Sequence, residues 1–273
     1  MYTSVFSHKQ SPSGSNSKGN QVKWLHDGWY YKQDLLGYEA LSEVVASRLA
    51  VHTNLAEFGI TEYEPCRHPL KSDIVCCRSK SYNPENYPEM TLLKLLTRYY
   101  NTDLEGVYKY YFDNCDVLLE SFYDFVKETI LEAVGFDAST LFALLLRFDW
   151  LILNEDRHFR NIAFLQGPSG FLPSPLFDNG AAFLSDTISY ESNVDFRLQI
   201  DSIQAKPFNS DFKIQVLMVE SKSAELLQFD TSIITLHCSD LLSYYDIALV
   251  QRVQQILEFQ LKLQFPYITL KWS

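Results

Sequence analysis

The sequence predicts an α+β, bilobal fold, with a small β-rich front lobe followed by a larger α-helical one. Three observations carry this. Residues 1–85 alternate short apolar runs with turn residues around one helical stretch, residues 86–273 carry apolar side chains at three- and four-residue spacing, and Pro84 and Pro88 punctuate the change. A chain of 273 residues, 47% hydrophobic and 15% aromatic, holds enough apolar material for a large core, which excludes wholesale disorder.

In chain order, Tyr2 to Phe6 and Gln21 to Leu25 read as strands on either side of the Ser/Gly/Asn run Ser11 to Asn20, and the Asp27-Gly28 pair turns the chain into a further strand at Trp29 to Lys32. Tyr38 to His52 places Leu41, Val44, Val45 and Leu49 on one helical face, with Glu39 and Glu43 one turn apart. Ile60 to Cys66 and Asp73 to Cys77 are extended, and the lobe boundary falls near 80–88. Met90 to Leu153 predicts three or four helices. The polar stretch Asn154 to Asn161 is followed by short extended pieces at Ile162 to Leu165 and Pro175 to Phe177, then an Asn179-Gly180 turn. The last helix is expected from about Ser239 to Gln264, with Leu242, Leu249, Val253, Ile256, Leu257 and Leu261 on one stripe.

Several function classes drop out on composition. The longest apolar stretch, Leu141 to Leu153, is interrupted by Arg147 and Asp149 and falls short of the ~20 residues that span a bilayer. Met1 to Gly19 is polar, without the apolar block of a secretory signal. Five cysteines without a C-x-x-C pair fit a reducing, cytoplasmic setting, and Cys66, His68 and Cys76 match none of the usual zinc spacings. A net charge of −11 with no basic cluster argues against direct nucleic-acid binding and against an anionic membrane surface.

The densest chemistry lies in Asp149-Trp-Leu-Ile-Leu-Asn-Glu-Asp-Arg-His-Phe-Arg-Asn161, followed by Phe177-Asp178-Asn179-Gly180. Phosphoryl transfer needs a carboxylate to orient the attacking hydroxyl and hard oxygen ligands for the Mg²⁺ that neutralises the phosphates; Asp156, Asn161 and Asp178 supply that set. A purely structural reading has Asp156 and Asn161 turning a loop while Arg157 and Arg160 pair with nearby acids. Upstream, Lys32 on a strand and Glu43 or Glu39 on the next helix match a lysine that holds phosphates and is itself held by a helix glutamate. A solvated edge lysine is the plainer alternative. The Ser11 to Gly19 loop, with Gly14 and Lys18, lies where a phosphate-covering loop would sit, or is a hairpin tip. A β-rich front lobe with one helix, then a helical lobe interrupted by this polar loop, is the protein-kinase-like layout. Val75 to Ser79, centred on Cys77, is the expected adenine-contacting hinge between the two lobes.

The string from Asp149 to Asn161 resembles the D-W-L-I-x-N-x-D-R-H-x-x-N signature of the HipA-like serine/threonine kinases almost position for position, with a more distant likeness to phosphoinositide kinases. Phe177-Asp178 resembles that family's metal-binding aspartate, Glu43 to Ala50 its E-x-x-x-x-R-L-A helix, and Ser13-Gly14-x-x-x-Lys18 its nucleotide loop. The resemblance implies an ATP- and Mg²⁺-dependent kinase of protein serine or threonine, with Asp156 orienting the acceptor, Asn161 and Asp178 on the metal, and Glu43 paired with Lys32, Glu39 in reserve; His158 reads as a structural hydrogen-bonding residue of the loop, with a catalytic base as its alternative. It further implies a toxin-like protein, a separately encoded antitoxin as partner, and autophosphorylation of Ser11 and Ser13, whose added charge disfavours nucleotide. Few residues precede the nucleotide loop, so the N-terminal subdomain with which some larger members meet a DNA-binding antitoxin is expected to be missing. Three other functions fit the same residues: a small-molecule or lipid kinase, a non-catalytic nucleotide-binding interaction module, and nucleotidyl transfer onto protein.

Overall fold

The computed structural model describes residues 21–101, 106 and 119–273. The expected strand at Tyr2 to Phe6 and the whole loop carrying Ser11, Ser13, Gly14 and Lys18 lie outside the described residues.

Strands β1 (Lys23–His26) and β2 (Trp29–Gln33) form the hairpin that Asp27-Gly28 predicts. Both turn residues have positive φ, 48° and 74°, the conformation a two-residue turn needs to match strand twist and the reason glycine follows aspartate there. Helix α1 (Glu39–Ala50) comes next, then β3 (Glu64–His68) and β4 (Lys71–Ser79). The four strands make an antiparallel sheet in the order β1-β2-β4-β3. Every residue of α1 except Arg48 is buried, so this helix is enclosed on all sides rather than lying with one face in water.

Helix α1 is started by two carboxylates. Asp34 accepts the Ala40 N–H at 2.6 Å, and Glu39 folds back to accept from the backbone of Leu35, Leu36 and Gly37 at 3.1, 2.7 and 3.2 Å. Gly37 is required by close approach, because a Cβ there would lie 2.0 Å from the Ser185 carbonyl oxygen. Tyr38 Oη donates to the carbonyls of Phe183 and Leu184, and Ser42 Oγ to that of Ala182. These bonds fix α1 to the segment that follows Asp178.

Residues 80–88 lead from β4 to β5 (Glu89–Thr91), which continues into α2 (Leu92–Tyr100). Helices α3 (Leu119–Val134) and α4 (Ser139–Ile152) follow. Strands β6 (Ala163–Gly167) and β7 (Gly170–Pro173) complete an antiparallel sheet with β5. The second extended piece is thus Gly170–Pro173, and Pro175 to Phe177 contributes only an isolated bridge from Leu176 to Ile60, since Pro175 has no N–H to give a ladder. After α5 (Phe196–Ile200) and α6 (Phe212–Glu220), β8 (Ile233–Leu236) pairs in parallel with the C-terminal β9 (Thr269–Trp272). The long last helix is split: Ser239–Ser243 is a 3₁₀ turn, and α7 spans Ile247–Gln264 after Asp246 in extended conformation.

The core runs continuously from α1 through α4 to α7. An aromatic cluster of Phe122, Tyr123, Phe142, Phe159 and Phe208, with centroid separations of 5.6 to 6.3 Å, packs beneath the polar loop after α4.

Candidate active site

Lys32 lies on β2, its side chain directed at α1, with its Nζ paired to Glu43 and 2.8 Å from Asp178 Oδ1. Burial opposes charge on Lys32, but Asp178 and Glu43 outweigh it and hold its pKa well above the ordinary lysine value. Glu43 is fully buried and its second oxygen accepts the Asn179 N–H at 2.8 Å, so one carboxylate fixes both the lysine and the turn after Asp178. Glu39 is engaged by the backbone of Leu35 to Gly37 ahead of the helix and takes no part in this pairing, which separates the two candidate glutamates.

Asp178 stands in the left-handed region, φ 63°, at the start of that turn. Lys23, on β1, donates to both of its oxygens at 2.9 and 3.1 Å. Burial pushes the Asp178 carboxyl up, yet Lys32 and Lys23 more than compensate and hold it far below the usual carboxylate range. Asp178 therefore stays ionised throughout the physiological range.

The polar loop after α4 is built around Arg157. This fully buried guanidinium makes a two-pronged bond with Asp149, 2.9 Å on each side, and donates to the Phe177 carbonyl at 2.7 Å and Asn179 Oδ1 at 2.6 Å. It thus joins the end of α4, the loop and both neighbours of Asp178. Asn161 Nδ2 donates to the Asp156 carbonyl at 3.1 Å, and Asp156 Oδ1 accepts from Lys206 Nζ at 2.6 Å. Burial lowers the pKa of His158 despite the nearby Asp156, which favours the neutral imidazole, and its Nδ1 is buried without a hydrogen-bond partner among the described residues.

Asp156, Asn161 and Asp178 line one cleft, together with Gln21, Lys23 and Glu39. Asn161 and Asp178 suit a Mg²⁺ ion, which favours one or two hard oxygen ligands from protein and takes the rest from water and phosphate. The Asn161 amide turns its nitrogen to Asp156, leaving its carbonyl oxygen for such a role, while Asp178 is held as an anion. Among the described residues no group of three His, Cys, Asp or Glu side chains is arranged for a metal, so Cys66, His68 and Cys76 form no such centre. Cys77 lies within strand β4 opposite Lys32 and is completely buried, its thiol pKa pushed up by burial. Val75 to Ser79 is therefore sheet rather than a connection, and the chain leaves β4 at Lys80. There Lys80 lies over the Trp29 ring at 3.7 Å and Tyr82 stacks on Phe177 with centroids 4.9 Å apart.

No protein-family profile and no curated protein sequence matches the chain. Among solved structures, it is similar to the proinflammatory kinase CtkA of Helicobacter pylori, with a TM-score of 0.55 and 16% identity over 95% of this chain and 93% of that one. The chain has a kinase fold. It is also similar, at a TM-score of 0.43 and 12% identity, to a chain of the Shewanella oneidensis toxin–antitoxin complex of HipA, HipB and operator DNA, covering 86% of this chain and 58% of that one.

Within this fold two lysines join the site that motif reading missed. Lys23 had a readable signal: counting four residues back and four forward from the Asp27-Gly28 turn places it directly across from Lys32 on the same face. Lys206 had none, because it stands 50 residues from Asp156 in a segment of no marked pattern.

Proposed function

We propose that this chain is a HipA-like, ATP- and Mg²⁺-dependent serine/threonine kinase working in a cleft between a front lobe, residues 1–85, and a helical lobe, residues 86–273. The observation that carries the reading is the chain of contacts from Glu43 through Lys32 to Asp178, in the cleft that Asp156 and Asn161 also line. In this reading Lys32 binds the α/β-phosphates, kept charged and in place by Glu43. The loop residues Ser13, Gly14 and Lys18 close over the phosphates, and the connection starting at Lys80, rather than Cys77, contacts the adenine.

Asn161 and Asp178 would hold Mg²⁺, which when bound neutralises phosphate charge. Asp156 orients the acceptor hydroxyl. As the acceptor oxygen bonds to the γ-phosphorus, the bond from that phosphorus to the β–γ bridging oxygen breaks, its electron pair leaves with ADP, and the hydroxyl proton passes to Asp156. Self-phosphorylation at Ser11 or Ser13 would set about −1.5 to −2 charges beside the nucleotide and oppose its binding. The toxin-like role, with a separately encoded antitoxin partner, belongs to the same reading.

The test is incubation with γ-labelled ATP and Mg²⁺ beside Asp156→Ala and Asp178→Ala, with mass spectrometry of residues 1–20. Label on Ser11 or Ser13 of the parent and neither variant is the expected result. ATP bound without any transfer to protein or water would favour the interaction module, and failure to bind ATP would overturn the reading of the cleft.

A further inference from the structure

We propose that Lys206 is a positioning residue for phosphoryl transfer, holding the Asp156 carboxylate in the orientation from which it receives the acceptor hydroxyl. The proposal rests on the kinase reading above and adds a residue that no signature motif contains.

The contact itself is close, 2.6 Å from Lys206 Nζ to Asp156 Oδ1. What distinguishes it from an incidental ion pair is how the lysine is mounted. Its backbone N–H donates to the Glu155 carbonyl at 3.0 Å, directly beside Asp156. Ala205 and Ser210 exchange backbone hydrogen bonds across the short loop containing Lys206, and the buried Gln215 amide on α6 donates to the carbonyls of both. Phe208 from the same loop is 2% exposed and packs against Phe159, whose own segment leads to Asn161. The loop is thereby fastened to the Asp156 segment before and after the aspartate.

The remaining geometry leaves Asp156 few other restraints. The Asn161 amide takes the aspartate's backbone carbonyl, not its carboxylate, and the His158 backbone N–H takes that same carbonyl at 2.8 Å. Lys206 is the side-chain donor that meets the carboxylate, and its own side chain is 35% exposed. An oxygen that must point at an incoming hydroxyl gains from one fixed partner on its other oxygen, since a misplacement of about 1 Å can cost on the order of 10²-fold in rate. An ammonium suits the task because it orients the anion without competing for the proton that Asp156 is to receive from the acceptor.

The experiment compares the full chain with Lys206→Met, Lys206→Gln and Lys206→Arg. ADP release against ATP concentration reports transfer to protein or water, calorimetry reports ATP affinity, and thermal unfolding reports the fold. In Lys206→Met, kcat should fall roughly 10- to 100-fold while ATP affinity and unfolding temperature stay near the parent's. Lys206→Arg should recover most of the loss, and Lys206→Gln, which keeps a donor without the charge, only part of it. Should the methionine variant unfold, the arginine and glutamine variants carry the comparison. The inference is overturned if the folded variants keep the parent's kcat, or if only ATP affinity changes. A parent that binds ATP but releases no ADP overturns the kinase reading itself, and the inference with it.

Discussion

Arg157 offers the sharpest test of how the site is built. Arg157→Met removes a guanidinium that is fully buried and leaves Asp149, 1% exposed, as an uncompensated charge whose other side-chain bond is from Asn154 Nδ2 at 2.8 Å. Breaking a buried ion pair from one side costs about 3–5 kcal/mol. The Phe177 carbonyl and Asn179 Oδ1 also lose their donors, at about 1 kcal/mol each. Together the loss is about 5 kcal/mol or more, against a total stability of about 5–15 kcal/mol for a folded domain, so the variant should unfold at much lower urea concentration. In Asp149→Leu/Arg157→Met the stranded charge is gone, and the double variant should be more stable than the sum of the single losses predicts, by about 2 kcal/mol or more. Urea titrations followed by tryptophan fluorescence on the parent, both singles and the double give the cycle. A single-variant loss below about 1 kcal/mol, or strict additivity of the two singles, would refute the view that this pair is the buried strut of the polar loop after α4.

Two further outcomes are expected. Asp34 is pushed up to about 7 by burial, against the helix-cap bond from Ala40 and the bond from Tyr245, so the folded chain holds its proton more tightly than the unfolded chain does. The associated stability is complete below the unfolded value of 3.8 and is lost as pH rises through about 7. Asp34→Asn should therefore gain unfolding temperature relative to the parent as pH goes from 4 to 8, and a constant difference across that range would contradict it. In Gly37→Ala the new Cβ meets the Ser185 carbonyl, a backbone atom that cannot step aside, and forces α1 away from the segment after Asp178. A loss of about 1–3 kcal/mol or more is expected in urea unfolding, and in the proposed kinase reading weaker ATP binding as Lys32 and Asp178 separate.

Much of the arrangement was legible in the sequence because it rests on local chemistry. The Asp27-Gly28 turn has only one economical hairpin, the apolar spacing from Leu41 to Leu49 suits only a helix, and the Asp149 to Asn161 string announces a polar loop at the end of an apolar helix. Choosing Glu43 over Glu39 was harder, since both lie on α1. It was decided by Glu39 turning back onto the backbone of Leu35 to Gly37 ahead of the helix. Pro175 to Phe177 pairs only through the single bridge from Leu176 to Ile60, because Pro175 has no N–H to extend a ladder, and the apolar stripe beginning at Leu242 continued across a break at Tyr244 to Asp246 that periodicity does not register.

What the sequence determined by itself, then, is a set of local features: the hairpin, the glutamate helix, and the aspartate and asparagine spacing of the polar loop. Those follow from backbone preference and short-range geometry, which neighbours along the chain carry. Only the tertiary structure decided that Lys23 and Lys32 converge on Asp178, that Cys77 is sealed behind Lys32, that Arg157 is a buried strut and not a surface ion pair, and that Lys206 reaches Asp156. These contacts join residues from eight to more than a hundred positions apart, brought together by burial of a shared core, and Coulomb attraction in that drier interior is strong enough to fix contacts that no local pattern encodes.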